Sequence, residues 1–427
     1  MSYFHSSILP SDTTLIIVLR MIIPTKGACV MKRNLCMVLL LCLGSLIGSV
    51  FESEAQDIEL LIKQLGDEDV FVRQKAADAL RKIGEPAKSA VPALIKALSD
   101  ENEKVRHNAA YALSKMGESA VSALIKALSD EKAKVRRYAA RALGWIGEPV
   151  KAAVPALIEA LGDEVAEVRE SAAFALSRIG QPAKAAVPAL IEALSDEDKL
   201  VRNYAARALG GIGEPAAAAV PVLIKAMSDE DARVRYHAVD ALGEIGEPAK
   251  EAVTALIEAL GDEEAEVRRS AVEALVKIGE TKAAVSALIE TLSDEDAGVR
   301  FRAVKALGEI GESKAAVPAL IKALSDENRE VRCSAAYSLS RIDEPDEPAK
   351  EAVSALIKAL SDEYSIVRMS AVIALGRIGE PAKDAIPALA KALSDEDAEV
   401  RRNAALALKE IGTSEAMKAV AEYERRQ

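Results

Sequence analysis

The fold of this chain can be read from one stretch, Asp196–Gly213, with the sequence DEDKLVRNYAARALGGIG. Its apolar residues recur every three or four positions and form a single stripe, which consists of Val201, Ala205, Leu209 and Ile212. That spacing places them on one face of an α-helix. Acidic residues open the stretch, where they suit the helix dipole, and Gly213 follows the last apolar residue as a C-terminal cap does. The stretch therefore predicts an amphipathic helix with a marked start and a marked end.

The same pattern recurs along the chain from residue 57, and a Val-Arg pair marks every copy. A second helical pattern precedes it, as in Val91–Leu98, where Pro92 suits the first turn of a helix. Self-similarity at intervals of 30 to 36 residues predicts a repeat array. The changes in spacing fall in the loop after the Val-Arg helix pattern, where length is tolerated. The eleven arginines are Arg73, Arg106, Arg136, Arg169, Arg202, Arg235, Arg268, Arg300, Arg332, Arg368 and Arg401.

An aspartate lies six residues before each of these arginines. An Asp at a helix start can cap the helix, and a partly buried Arg needs hydrogen-bond acceptors. We therefore predict that each Arg bonds the Asp or a loop carbonyl of an adjacent repeat, so that the pairs form a structural ladder along the stack. The aspartates are Asp67, Asp100, Asp130, Asp163, Asp196, Asp229, Asp262, Asp294, Asp326, Asp362 and Asp395.

On these Asp and Val-Arg positions, residues 57–413 resemble HEAT repeats, in particular the short HEAT-like repeats of phycobilisome lyase subunits. The resemblance implies an all-α fold, a right-handed α-solenoid of about eleven helix pairs. It also implies that the helix bearing Val-Arg lines the concave side and that such arrays present surfaces for partners. The domain plan is then a HEAT-like array over residues 56–413 and a polar C-terminal capping helix within residues 414–427.

The first 55 residues differ in character from the array. From Met31 a short basic start, Lys32 and Arg33, precedes the apolar run Leu35–Val50, and small residues precede Gln56. This order predicts a signal peptide over residues 31–55, cleaved after Ala55. We expect a periplasmic or secreted protein with no membrane insertion after cleavage; the alternative is an uncleaved signal that anchors the chain in the membrane. Residues 1–30 fit no part of this plan, and we interpret them as a non-native leader.

The candidate binding residues follow from the geometry of the Val-Arg helix. At 100° per residue, the slots one, two, five, eight and nine residues after the Arg point away from the buried stripe. These slots hold most of the rings of the array, including Trp145, the only Trp, and an excess of Lys and Arg on a chain with a net charge of −12. The predicted concave-face residues are His107, Tyr111, Arg137, Tyr138, Arg141, Trp145, Phe174, Arg178, Tyr204, Arg207, Tyr236, His237, Phe301 and Tyr337.

Two interpretations of these rings remain open. Aromatic residues and Arg are enriched at interface hot spots, which favours a face that binds a protein or peptide with acidic and apolar features. The alternative is that Tyr138, Tyr204 and Trp145, which lie in flanking slots, pack between neighbouring repeats.

The sequence contains no constellation that predicts catalysis. His107 and His237 are four repeats apart and are not followed by Glu, so neither a shared metal nor a deoxyhypusine-hydroxylase-like iron site is expected. Cys333 has no nearby His, and no Gly-rich phosphate loop is present. We therefore predict no catalytic residue, metal or cofactor, and no nucleic-acid partner for so acidic a chain. The predicted function is a monomeric, non-enzymatic scaffold; the alternative is an accessory enzyme of the HEAT-like class, bilin-lyase-like or deoxyhypusine-hydroxylase-like.

Overall fold

The computed structural model describes residues 56–279, 281–310, 314–341 and 347–425. The predicted leader and signal peptide, residues 1–55, lie outside the described residues. Within the described ranges all regular secondary structure is helical. In the same ranges no helix has the length and apolar character needed to cross a membrane.

Each repeat contains two α-helices, which we call the leading helix and the Val-Arg helix, and we number the repeats 1 to 11 along the chain. The leading helices span residues 56–64, Val91–Ala97, Glu118–Ala127, Val154–Ala160, Val187–Ala193, Val220–Ala226, Val253–Ala259, Thr281–Thr291, Val317–Ala323, Glu347–Ala359 and Ile386–Ala392. The Val-Arg helices span Val70–Ile83, Glu103–Lys115, Ala133–Ile146, Ala166–Ile179, Lys199–Ile212, Ala232–Ile245, Ala265–Ile278, Ala297–Ile310, Arg329–Leu339, Ser365–Ile378 and Ala398–Ile411. A further helix, Ser414–Glu424, follows repeat 11.

A short 3₁₀ helix precedes many of the leading helices, which the sequence pattern did not predict. These 3₁₀ helices span Glu85–Ala90, Glu148–Ala153, Gln181–Ala186, Glu214–Ala219, Glu247–Ala252, Lys314–Ala316 and Glu380–Ala385. In repeat 3, where the arginine spacing shrinks to 30, the leading helix Glu118–Ala127 follows Gly117 directly. The loss of three residues is therefore absorbed by the 3₁₀ segment. Pro92 lies in the first turn of Val91–Ala97, as predicted.

The glycine that ends most Val-Arg helices has a backbone that other residues avoid. Gly213 has φ 72° and ψ −142°, and its N–H donates to the carbonyl of Leu209 at 3.1 Å. This region is open to glycine because it lacks a Cβ atom. The bend at Gly213 ends the helix and directs the chain into the next 3₁₀ helix, Glu214–Ala219.

The described chain divides after Ala112 into two compact units. In the second unit, consecutive Val-Arg helices pack side by side, and each also packs on the leading helix of its own repeat. The stripe predicted in repeat 5 lies in this core, since Val201, Ala205, Leu209 and Ile212 are all buried. The architecture is that of an all-α solenoid.

Candidate functional site

The Asp and Val-Arg residues form a ladder between repeats. Arg202 donates from Nε and Nη2 to the carboxylate of Asp229 in the next repeat, at 2.7 and 2.9 Å. Its Nη1 donates to the carbonyls of Asp196 and Glu197, at 3.0 and 3.1 Å, which belong to its own repeat rather than to an adjacent one. The bidentate pairs of this kind are Arg73–Asp100, Arg136–Asp163, Arg169–Asp196, Arg202–Asp229, Arg235–Asp262, Arg268–Asp294, Arg300–Asp326, Arg332–Asp362 and Arg368–Asp395.

The ladder aspartates do not cap the helices themselves. Asp196 accepts from the N–H of Asp198 at 2.8 Å, and it is Asp198 that caps Lys199–Ile212 by accepting from Leu200 N. Burial raises the pKa of Asp196, but the hydrogen bonds from Arg169 and from the Asp198 backbone outweigh it and hold that pKa below its ordinary value. The bond to Asp196 raises the pKa of Arg169. Both groups are therefore charged at neutral pH, and the ladder joins repeats instead of facing a ligand.

One of the predicted face residues is wrongly assigned. Tyr138 is only 3% exposed, so its ring cannot contribute to a binding surface. Tyr138 lies in the slot two residues after the Arg, which flanks the outward face instead of being at its centre. In the same slot of repeat 5, the ring of Tyr204 meets that of Phe174 edge-on, with centroids 5.4 Å apart.

The other predicted residues keep some solvent exposure. His107, Arg178, Arg207 and Tyr337 are exposed, whereas the remaining members of the set are half-buried: Tyr111, Arg137, Arg141, Trp145, Phe174, Tyr204, Tyr236, His237 and Phe301. Several rings are held by neighbours, including Tyr111 under Arg81 and Tyr236 against His237, at 5.3 and 4.9 Å between the relevant centres. The rings thus combine packing between repeats with a surface that solvent still reaches.

The positive charge of this face is distributed unevenly. In repeats 6 to 8 the cations pair with acids of neighbouring Val-Arg helices or their capping residues. Lys277 Nζ lies 2.6 Å from Glu244, Arg269 Nη2 lies 2.7 Å from Asp296, and Arg302 also pairs with Glu273. In repeats 3 to 5, by contrast, Arg141, Arg178 and Arg207 have no ion pair with any described residue. Cations without an ion pair to a described residue thus lie side by side in repeats 3 to 5, and again in repeats 9 and 10 with Arg341 and Arg377.

A cavity of about 820 Å³ opens on the Val-Arg helices of repeats 8 to 10. We call it the aromatic cavity, and its apolar lining consists of Phe301, Cys333, Tyr337, Tyr364 and Ile366. Tyr337, Tyr364 and Ile366 are 48%, 40% and 43% exposed, among the most exposed large apolar side chains described. A large apolar surface left in water and gathered around one concavity is typical of a binding site.

Cations hold two of these rings in place. The guanidinium of Arg377 lies 4.9 Å from the centre of the Tyr337 ring. Arg329 and Arg332 lie 5.4 and 5.5 Å from the centre of the Tyr364 ring. Cation–π contacts of this kind orient a ring without covering its outer face. The cavity wall is therefore ordered and amphipathic.

Tyr364 and Ile366 were missed by the sequence prediction because they precede the Val-Arg arginine. They lie four and two residues before Arg368, at the start of the helix, whereas only slots after the arginine were considered. A signal was present, since Tyr364 takes the capping position that Asp198 holds in repeat 5 and makes no capping bond. The signal is weak by itself, because Lys132, Val165 and Glu264 hold the same position in repeats 3, 4 and 7 and also make no capping bond.

The titratable groups on this face do not form a metal site. Among the described residues, no group of three or more His, Cys, Asp or Glu could hold a metal ion. Burial and, to a smaller extent, the charge of Arg207 lower the pKa of His237 to about 4, so this imidazole is neutral at pH 7. Burial raises the pKa of Cys333, which keeps its thiol protonated.

The comparisons with known proteins agree with this architecture. A family model for HEAT repeats matches residues 58–124, 121–187, 187–276, 220–300, 285–350, 317–383 and 353–425. No curated protein matches the chain.

Solved structures similar to this chain include nuclear transport proteins. Kap95p in complex with RanGDP is 17% identical with a TM-score of 0.62, over 97% of this chain and 63% of that one. The Kap95–Nup1 complex has the same values. Importin beta is 16% identical with a TM-score of 0.56, over 87% of this chain and 58% of that one. The chain spans about three fifths of the length of these proteins, and at such identity the likeness is one of fold. The HEAT repeat model matches this chain in successive segments from residue 58 to residue 425, and the chain therefore belongs to the HEAT repeat family.

Proposed function

We propose that this protein is a non-enzymatic scaffold that binds a protein partner on the face formed by its Val-Arg helices. The observation that carries the proposal is the aromatic cavity of repeats 8 to 10. Membership of the HEAT repeat family supports it, because arrays of this kind offer extended surfaces for partners. Kap95p, which is similar in fold, is described in complexes with RanGDP and with Nup1.

The cavity has the size and chemistry of a peptide-binding pocket. Its volume lies in the range of roughly 300–1,000 Å³ that is usual for ligand sites. Tyr337 and Tyr364 provide exposed ring surface, and Arg329 and Arg341 lie beside them in the lining. Tyr and Arg are the residue types that dominate interface hot spots. An apolar side chain of a partner would enter the cavity, and acidic groups beside it would meet Arg329 and Arg341 and avoid Glu309 and Glu330, which also line it.

We propose further that the partner lies in the envelope or outside the cell and that the scaffold is a monomer with the Val-Arg helices on its concave side. The support for export is the order of a basic start, an apolar run and small residues in residues 31–55. The support for the concave side is the resemblance to HEAT-like arrays.

The experiment compares two residues in the same slot of different repeats. Ile366 and Phe71 both lie two residues before the Val-Arg arginine, and both are exposed, Phe71 to 68%. The variant Tyr337→Ala with Ile366→Ala should weaken capture of the native partner at least tenfold, since hot-spot truncations cost about 2 kcal/mol or more. Phe71→Ala should leave capture unchanged.

Capture is measured as the amount of partner retained on the immobilised chain from the native envelope or extracellular fraction. Far-ultraviolet circular dichroism checks that each variant keeps the helical content of the parent. Equal retention by the parent and by the folded double variant would contradict the proposal.

A further inference from the structure

A second surface, in repeats 3 to 5, differs from the aromatic cavity in having no acidic residue among the side chains that form it, whereas Glu309 and Glu330 help to line the cavity. We call it the cationic patch, and it is formed in the C-terminal halves of three neighbouring Val-Arg helices by Arg141, Trp145, Phe174, Arg178 and Arg207. Slots five to nine of these three helices contain no acidic residue. None of the three arginines makes a hydrogen bond or an ion pair with another described residue.

In the neighbouring repeats the same slots hold acidic residues, and some of these form ion pairs with cations of the next helix. In repeat 6 the slots of Arg207 and Gly211 hold Asp240 and Glu244. Glu244 pairs with Lys277 of repeat 7 at 2.6 Å. The patch therefore ends at an acidic border, and the next helices form internal pairs that repeats 3 to 5 lack.

Two buried donors lie one helical turn before the patch on the helices of repeats 3 and 5. Arg137 Nε and Asn203 Nδ2 are buried and have no hydrogen-bond partner among the described residues. Buried donors without acceptors are uncommon in folded proteins. Glu170 holds the same slot in repeat 4, so the acid-free part of this surface is limited to slots five to nine, where the three arginines lie.

The aromatic part of the patch is fixed by close packing. The ring of Phe174 lies against the helix of repeat 3 where Gly144 has no side chain, since a Cβ atom there would be 2.8 Å from Phe174 Cε1. Its other side meets the Tyr204 ring edge-on. Phe174 is thus a rigid, half-buried apolar floor between Arg141 and Arg207, the residues in the same slot of the flanking helices.

We propose that the cationic patch binds an extended acidic peptide segment of a protein partner, with an apolar side chain of the segment on Phe174 and its carboxylates on Arg141, Arg178 and Arg207. Helices pack roughly 10 Å apart, so Arg141 and Arg207 are separated by about 20 Å. An extended chain covers that distance in about six residues. The inference rests on the proposed function in taking the Val-Arg helix face as a binding surface.

The acidic border favours a short peptide over a nucleic acid. A continuous polyanion that followed the helix face would leave the arginines and meet Asp240 and Glu244 in repeat 6. Nucleic-acid binding instead needs many basic residues along the strand, and this chain has a net charge of −12.

Trp145 provides a local probe, because it is the only Trp in the chain and lies in the patch. The full chain is titrated with a seven-residue peptide of five Glu, one Leu and one Phe, and Trp145 fluorescence is recorded. Anisotropy of the fluorescein-labelled peptide gives the same affinity independently. We expect saturable binding that weakens with added salt, and none for the peptide in which Lys replaces Glu.

The test variant is Arg141→Gln, Arg178→Gln and Arg207→Gln. The matched control is Lys126→Gln, Lys225→Gln and Lys322→Gln, which removes the same charge from exposed positions of three leading helices. We expect the test variant to bind the acidic peptide at least tenfold more weakly, about 1.4 kcal/mol, and the control to bind as the parent does.

Three results would overturn the proposal: no saturable signal by either method, equal weakening in the two triple variants, or tighter binding of a seven-nucleotide single strand than of the acidic peptide. The variant Tyr337→Ala with Ile366→Ala should bind the peptide normally, because its changes lie in repeats 9 and 10. A failure of the partner-capture experiment and a failure of the peptide titration are therefore distinguishable.

Discussion

The ladder predicts that an aspartate inside the array contributes far more stability than its counterpart at the start. Asp196→Ala removes the bond from the Asp198 N–H, at 2.8 Å, and both bonds from Arg169, at 2.7 and 2.9 Å. Asp67→Ala removes the equivalent backbone bond from the Asp69 N–H, also 2.8 Å. In the described part of the chain, no arginine of a preceding repeat bonds Asp67. Asp67 is therefore a matched control within the same protein.

The expected magnitudes follow from these contacts. Loss of a side-chain acceptor for a backbone N–H at a helix start costs about 1 kcal/mol, which is our expectation for Asp67→Ala. Removal of one partner of a buried ion pair costs about 3–5 kcal/mol because the other charge stays buried. Only 12% of each side chain of the Arg169–Asp196 pair is exposed, so solvent screens the pair little. We therefore expect a loss of about 4 kcal/mol for Asp196→Ala.

The assay is equilibrium unfolding in urea at pH 7, followed by far-ultraviolet circular dichroism and by Trp145 fluorescence. Long repeat arrays can unfold in parts, so the two signals are fitted separately and the urea midpoints are compared only at equal slope. Asp196→Ala should shift the midpoint about four times as far as Asp67→Ala. If the two shifts are equal within about 0.5 kcal/mol, the arginine bonds contribute nothing beyond the turn and the reasoning is refuted.

Three further predictions concern pH and the helix ends. Hydrogen bonds from arginines and from backbone N–H groups lower the pKa of Asp163, Asp196, Asp229, Asp326 and Asp395, and the bond from Arg269 lowers the pKa of Asp296 to about 2. These six groups add stability that is present above about pH 4 and is lost as the pH falls through their folded pKa values. The urea midpoint should therefore drop between pH 5 and pH 2.5, and a constant midpoint would contradict this. The pKa of His237 is about 4 in the folded protein, whereas the unfolded imidazole binds a proton below about pH 6.5. The folded protein should therefore lose stability as the pH falls below about 6.5. In the same unfolding experiment, His237→Gln should lose less stability than the parent between pH 7 and pH 5. Gly213→Ala should lower the free energy of unfolding by about 1–3 kcal/mol because φ at this position is 72°. Gly66→Ala is the control, since an added Cβ there meets only ordinary contacts, and it should cost less than 1 kcal/mol. Equal thermal midpoints for the two variants would be evidence against strain at Gly213.

The two surfaces proposed here differ in what holds them together. The aromatic cavity is an opening between helices whose rings are oriented by cations, as Arg377 orients Tyr337. The cationic patch consists of arginines that have no ion pair with a described residue and that border on Asp240 and Glu244 of repeat 6. A partner that carries an acidic segment next to an apolar one could contact both, since the two surfaces belong to the same compact unit. The self-paired charges of repeats 6 and 7 lie between them in the chain.

The repeat pattern by itself determined the helices of this protein. Stripes such as Val201, Ala205, Leu209 and Ile212 define which face is buried, and a following glycine marks where most of the Val-Arg helices end, because both effects are local to one turn or one helix. The Asp and Arg positions also indicated that charged groups would join the repeats. The 3₁₀ helices were not predicted, since their short runs of Pro, Ala and Lys carry no periodic signal.

Only the tertiary structure decided the contacts between repeats. Arg169 and Asp196 are 27 residues apart, and which acceptor each arginine meets depends on how one repeat is stacked on the next. The same stacking buries Tyr138 and leaves Tyr364 exposed, although both are Tyr on a Val-Arg helix or at its start. Helical periodicity gives the direction of a side chain from its own helix axis, but its exposure depends on the distance to the neighbouring helix. That distance is set by side chains of other repeats, such as the missing Cβ of Gly144 beneath Phe174, and it cannot be read from one helix alone.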